Sequence, residues 1–134
     1  MTYYLAKTDP ETYSIDDLER ERNTIWDGVK NPQALRAIAA MRPGDRVFIY
    51  HSMGKAAIVG LARVTSEPRP DPKNAKLPVV ELEFLERVNP PVTLQEIKES
   101  GKFGDWSLVR QSRLSTTAAP DEFVKWMRKR YPNI

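Results

Sequence analysis

The chain has 134 residues, no cysteine, one histidine and a net charge of +3, enough length for one domain with a genuine core. Disulfides, thiolate metal sites and a cysteine nucleophile are excluded, and a lone histidine argues against an imidazole-built metal centre. No apolar run approaches the roughly 20 residues of a membrane span, and the opening "MTYYLAKTDP" lacks the pattern of a signal peptide, so a cytoplasmic or otherwise intracellular protein is expected.

In chain order, "YYLAK" (3–7) is β-prone. "SIDDLERER" (14–22) reads as a helix, with Ser14 and Asp17 at capping-box spacing and Tyr13 as the apolar residue before the cap. "NPQALRAIAAMRPGD" (31–45) reads as a second helix. Asn31 caps it, Pro32 suits its first turn, Pro43-Gly44 ends it, and Leu35, Ile38, Ala39 and Met41 form the expected apolar stripe. "RVFIYHS" (46–52) and "AIVGLARVTSE" (57–67) are strands joined by the hairpin-length "MGKA". The proline-rich "EPRPDPKNAKLP" (67–78) reads as a surface excursion rather than a strand. "VVELEFLERV" (79–88) alternates as a strand with one wet face, and Pro90-Pro91 is expected to break it. "TLQEIKE" (93–99) carries a Thr93/Glu96 capping box, "SLVRQSRLS" (107–115) suits a strand or extended segment, and "PDEFVKWMRKRY" (120–131) is a final helix with Phe123, Val124, Met127 and Tyr131 inward. Strands interrupted by short helices predict a single α+β domain, residues 1–134, around a compact barrel or curled sheet. The tight joint between strands 46–52 and 57–67 excludes a parallel crossover there.

Charge is unevenly distributed. Residues 102–134 carry seven Lys/Arg against three Asp/Glu, whereas residues 1–50 carry seven against eight. That asymmetry permits a polyanionic partner without requiring one. Three places can carry chemistry. His51 and Ser52 end a strand covered on both faces; they are either hydrogen-bonded strand-end residues or the mouth of a pocket, where a neutral imidazole can both donate and accept. "IWDGVKN" (25–31) sets Trp26 before an Asp-Gly turn and the start of a helix: a flat π-face, backbone access at Gly28, and free amides near Asn31. "LVRQSRLS" (108–115) places Arg110 and Arg113 beside two serines, groups that suit phosphate as well as a solvated edge. No phosphate-binding loop, dinucleotide fingerprint, hydrolase elbow or metal-ligand cluster is present, so no cofactor is expected.

Taken together, "YYLAKTDPETYSIDDL", "TIWDGVKNPQAL", "MRPGDRVFIYHS", "IVGLARV", "PRPDP", "PVTLQEIK" and "SLVRQSRLS" resemble, in order and over nearly the whole chain, the EVE domain family. The resemblance implies a PUA-like fold, a small β-barrel with helices packed around it, related to the YTH readers. It also implies a non-catalytic role: binding DNA or RNA by accepting a modified base, chiefly modified cytosine, in an aromatic pocket. Carried onto this chain, Trp26 would stack on the extruded base. Gly28, Val29 and Asn31, with Ser14, His51 and Ser52, would complete the base pocket. Lys7, Lys30, Arg36, Arg110 and Arg113 would meet phosphates. The chain departs from the family pattern at Lys7-Thr8-Asp9-Pro10 (usually Lys-x-Glu-Pro), at Lys30 (usually arginine) and at Pro32-Gln33-Ala34-Leu35-Arg36 (commonly Tyr-Gln-Ala-Arg-Asn). Two other classes fit the residues: an ASCH-like base or nucleoside amidohydrolase using Lys7, Thr8 and Glu81 or Glu83, and a protein-interaction module using the last helix or the 67–78 segment.

Overall fold

The computed structural model describes residues 1–134. In chain order the elements are β1 (Tyr3–Thr8), α1 (Ile15–Glu21), β2 (Asn23–Trp26), α2 (Pro32–Ala40), β3 (Arg46–His51), β4 (Ala57–Val64), β5 (Arg69–Asp71), β6 (Asn74–Thr93), α3 (Leu94–Glu99), α4 (Ser107–Arg110), β7 (Thr116–Ala118) and α5 (Asp121–Arg130). The helix starts follow from local chemistry. Ser14 and Thr93 close capping boxes with Asp17 and Glu96, and the Asn31 side chain accepts from the amides of Gln33 and Ala34 with Pro32 in the first turn.

One mixed sheet runs β2-β6-β4-β3-β1-β7, with β5 paired to the near end of β6. Its single parallel pair is β1 with β3, bridged by α1, β2 and α2; the remaining pairs are antiparallel. The α+β, PUA-like class expected from the sequence holds, with one refinement. The barrel is open: β2 and β7 end the pairing path and do not pair with each other.

Both faces of the central strands are covered. Tyr3, Leu5, Phe48 and Tyr50 join a cluster closed by α3, α4 and α5, in which Phe123 packs against Phe48, Phe103 and Trp106. Tyr4, Ala6, Val47 and Ile49 point the other way, into a cluster closed by α1 and α2 that also holds Trp26. Alternation along a strand produces this partition, and the absence of charge at 47–50 allows it. Gly60 matters to the second cluster: a Cβ there would stand 2.3 Å from the end of the Ile15 side chain, so its absence lets α1 settle on β4.

Five expectations are corrected. Residues 23–26, read only as a turn approach, form β2, which pairs with Glu83–Val80 of β6. The proline-rich 67–78 segment is not a bare excursion but a hairpin, β5 against the start of β6, with Pro70 opposite Pro78. An edge hairpin tolerates prolines because its outer amides need no strand partner, and the Asp71 side chain accepts from the Lys73 amide within its turn. Pro90-Pro91 does not end β6: the partners of β4 jump from Arg87 to Val92, and the prolines lie in that bulge. Residues 107–115 are no strand; Ser107–Arg110 is one helical turn followed by a tight turn from Gln111 to Leu114. In α2 the buried residues are Ala34 and Ile38, with Met41 just beyond; Leu35 is half-buried and Ala39 exposed, because the helix leans on β6 and β7 by the neighbouring face.

Candidate nucleic-acid interface

A cleft of about 460 Å³ opens where the sheet fails to close. Lys7 and Thr8 at the end of β1 line it. Asp9, Thr12 and Tyr13, Thr24 to Lys30 from β2 and the approach to α2, and Ser115, immediately before β7, complete the lining. The volume falls within the roughly 300–1,000 Å³ of small-molecule sites.

Local hydrogen bonding positions each part. After β1 the chain turns on Asp9, whose carbonyl accepts from the amides of Thr12 and Tyr13, both at 2.9 Å. Thr8 Oγ1 donates to the Tyr13 carbonyl at 2.7 Å. Tyr13 is thereby held with its ring edge-on to Trp26, centroids 6.1 Å apart at 85°. Its hydroxyl donates to Glu21 Oε1 at 2.8 Å, and burial pushes the phenol up to about 12, so it is a neutral donor at any physiological pH. Trp26 is fixed by pairing with Val80 and is only 7% exposed, with the cleft at its margin. Gly28 follows at φ +79°, a left-handed conformation that favours glycine, and turns the chain into α2. Lys7 is half-buried: its Nζ donates to the Ser112 carbonyl at 3.0 Å and lies 5.6 Å from the centre of the Tyr50 ring. Burial lowers its pKa from the ordinary lysine value.

Of the residues singled out from sequence, the cleft gathers Trp26, Gly28, Val29, Lys7 and Lys30. The others lie elsewhere. Ser14 and Asn31 are engaged as helix caps. His51 Nε2 accepts from the Ile15 amide at 3.1 Å, at the start of α1, and Ser52 bonds to the Thr8 carbonyl through both its amide and its hydroxyl. Arg36 is exposed on α2, Arg110 reaches Asp105 at 3.4 Å, and Arg113 is exposed on the loop beside Ser115. Tyr13 and Asp27 line the cleft, although sequence reading assigned Tyr13 to helix capping alone and Asp27 only to a turn. Their spacing carries no signal for this: the turn on Asp9 and the Thr8 bond place Tyr13, and the pairing of β2 with β6 places Asp27. Glu81 and Glu83, the acids of the amidohydrolase reading, pair with Arg69 and Arg63 and do not line the cleft with Lys7 and Thr8.

Fold and site together define a PUA-like domain with an aromatic, lysine-bordered cleft in the seam of its sheet. The EVE domain profile matches residues 2–130, and the chain belongs to that family. It is 32% identical to thymocyte nuclear protein 1 of Rattus norvegicus over 124 residues, which cover 72% of this chain and 55% of that protein. The chain thus spans about half the length of this curated relative. The NMR structure of Rpa0253 from Rhodopseudomonas palustris superposes with a TM-score of 0.90 at 34% identity, covering 96% of this chain and 92% of that one. The crystal structure of human THYN1 in complex with DNA containing 5-methylcytosine shares the fold, with a TM-score of 0.86 at 24% identity over 95% of each chain.

Proposed function

We propose that this protein is a non-catalytic nucleic-acid reader that takes a modified base, modified cytosine in the first instance, into the seam cleft beside Trp26. The observation that carries the reading is the cleft itself. It brings together an indole fixed by strand pairing, a neutral tyrosine, a glycine turn with accessible backbone, and two lysines. The human relative's complex with 5-methylcytosine DNA supports the choice of base. No helix is long and apolar enough to cross a membrane, and no group of three or more His, Cys, Asp or Glu side chains could hold a metal.

The energetics make the cleft's several parts necessary. Extruding a base from a duplex costs a few kcal/mol. Stacking on an aromatic ring returns about 1–3 kcal/mol. Edge hydrogen bonds accepted by the Asp27 carboxylate and made with the backbone around Gly28, and attraction of phosphates to lysine, make up the remainder. A buried methyl adds on the order of 0.8 kcal/mol, so selectivity for a methylated base depends on a close fit as well as on burial. In this reading Ser14, Asn31, His51 and Ser52 support the cleft walls through backbone hydrogen bonds rather than touching the base.

The test is a fluorescence-anisotropy titration with labelled DNA and RNA oligonucleotides carrying cytosine or 5-methylcytosine. The wild type is expected to prefer the methylated base, and its affinity to fall steeply with salt. Trp26→Ala is expected to weaken binding about 10-fold or more, from the loss of stacking. Equal affinity of wild type and Trp26→Ala would overturn the reading.

A further inference from the structure

The surroundings of the cleft are electrically lopsided. On the β7 side, the loop from Gln111 to Ser115 is tied down at three points. Lys7 Nζ holds the Ser112 carbonyl at 3.0 Å, the Lys7 amide holds the Ser115 carbonyl at 2.7 Å, and Leu114 is buried. Arg113 projects to solvent from this fixed loop. Lys30 lines the cleft at its α2 end, and α2 packs against both β6 and β7. Neither Arg113 nor Lys30 takes part in any of the protein's ion pairs.

On the β2 side, a second groove of about 590 Å³ adjoins the cleft and shares Tyr13, Thr24, Ile25 and Asp27 with it. Its other charged residues are Glu21, Asp71, Glu81 and Lys73. The four carboxylates, counting Asp27, are offset only by Lys73, 4.0 Å from Asp27, and by Arg69, 2.9 Å from Glu81. Four negative and two positive charges leave the groove at −2. Phosphate is repelled there and attracted on the opposite side.

Resting on the reading of the cleft as a base site, we propose that the nucleic-acid backbone crosses this protein on one side only. It runs over Arg113 on the β7 side and past Lys30 at the α2 end, while the acidic groove beyond β2 bars it from the other side. Lys7 is a positioning residue in this scheme: its ammonium is engaged by the Ser112 carbonyl, and it fixes the loop that presents Arg113.

Matched charge reversals test the sidedness. Arg113→Glu and Lys73→Glu each change an exposed side chain on opposite sides of the cleft, and thermal melts confirm that both fold. For a labelled 5-methylcytosine oligonucleotide, Arg113→Glu is expected to weaken binding about tenfold and to lower the slope of log affinity against log salt by about one. Lys73→Glu is expected to stay within about twofold of wild type, because no phosphate lies near it. Lys73→Glu losing as much as Arg113→Glu, or Arg113→Glu binding like wild type, would overturn the one-sided path. Failure of the base-site reading looks different: Trp26→Ala would bind like wild type while Arg113→Glu still lost affinity.

Discussion

Trp26 and Trp106 have the same exposure, 7%, yet they have different environments. Trp106 is surrounded by other aromatic rings. Its centroid lies 4.6 Å from that of Phe123 and 6.4 Å from that of Phe103, and its Nε1 donates to the Ala118 carbonyl at 2.9 Å. Trp26 meets one ring, Tyr13, edge-on at 6.1 Å, and then the cleft. The comparison extends to the two faces of the sheet. Three helices and an aromatic cluster seal one face; the other has two short helices and an open seam. Accessible area alone therefore does not separate an indole sealed among other rings from one that borders a cleft. What separates them is whether the ring's margin borders protein or a concave space of ligand size.

The contrast is broken or sharpened first by truncating the two indoles. Trp106→Ala is expected to destabilise the domain by about 4–5 kcal/mol, and Trp26→Ala by about 3 kcal/mol, the lower end for aromatic truncations, since part of its surroundings is already empty. Urea unfolding of both variants reads the order, and a reversed order would erase the distinction drawn here. Next comes the turn that carries the cleft wall. Gly28→Ala meets no atom within 4 Å, so its effect is backbone strain at φ +79° alone, about 1–2 kcal/mol, again by urea unfolding. Asn31→Ala removes a helix cap and is expected to cost about 1 kcal/mol while leaving oligonucleotide affinity within twofold. A large loss of affinity would return Asn31 to the base site.

The smallest effect is that of pH at His51. Burial pushes its imidazole below the ordinary histidine value, helped by Arg87 and opposed by Asp16. Protonation would also remove the acceptor that Ile15 uses. The folded state therefore binds this proton less readily than the unfolded chain. The stability His51 confers is complete above the unfolded value near 6.5 and is lost as pH falls through the lower folded value. Melting temperatures between about pH 5 and 8 should show that decline in the wild type and a shallower one in His51→Gln.

Much of this architecture was readable in the residues. Ser14, Asn31 and Thr93 announced three helices because a cap satisfies amides two or three residues away, so the whole interaction lies within a few residues of sequence. "VFIY" announced a strand covered on both faces because alternation of four apolar residues leaves no wet side. The resemblance in motif order implies a stacking role for Trp26, and its ring lies at the margin of the cleft. Other features were hidden. The prolines of 67–78 and 90–91 conceal strand because tolerance of proline depends on whether a partner needs that amide. For His51 the residues leave a hydrogen-bonded strand end and a pocket mouth equally open; its acceptor role toward the Ile15 amide comes from residues well before it in the chain.

The sequence by itself determined four of the five helices, the central strands and the residues able to stack on a base, since each rests on spacing within one segment. Only the tertiary structure decided which of those residues share a cleft. That depends on where β2 and β7 stop pairing, and on the pairing of Trp26 with Val80 and the tether from Lys7 to Ser112, contacts between segments whose separation no local pattern records.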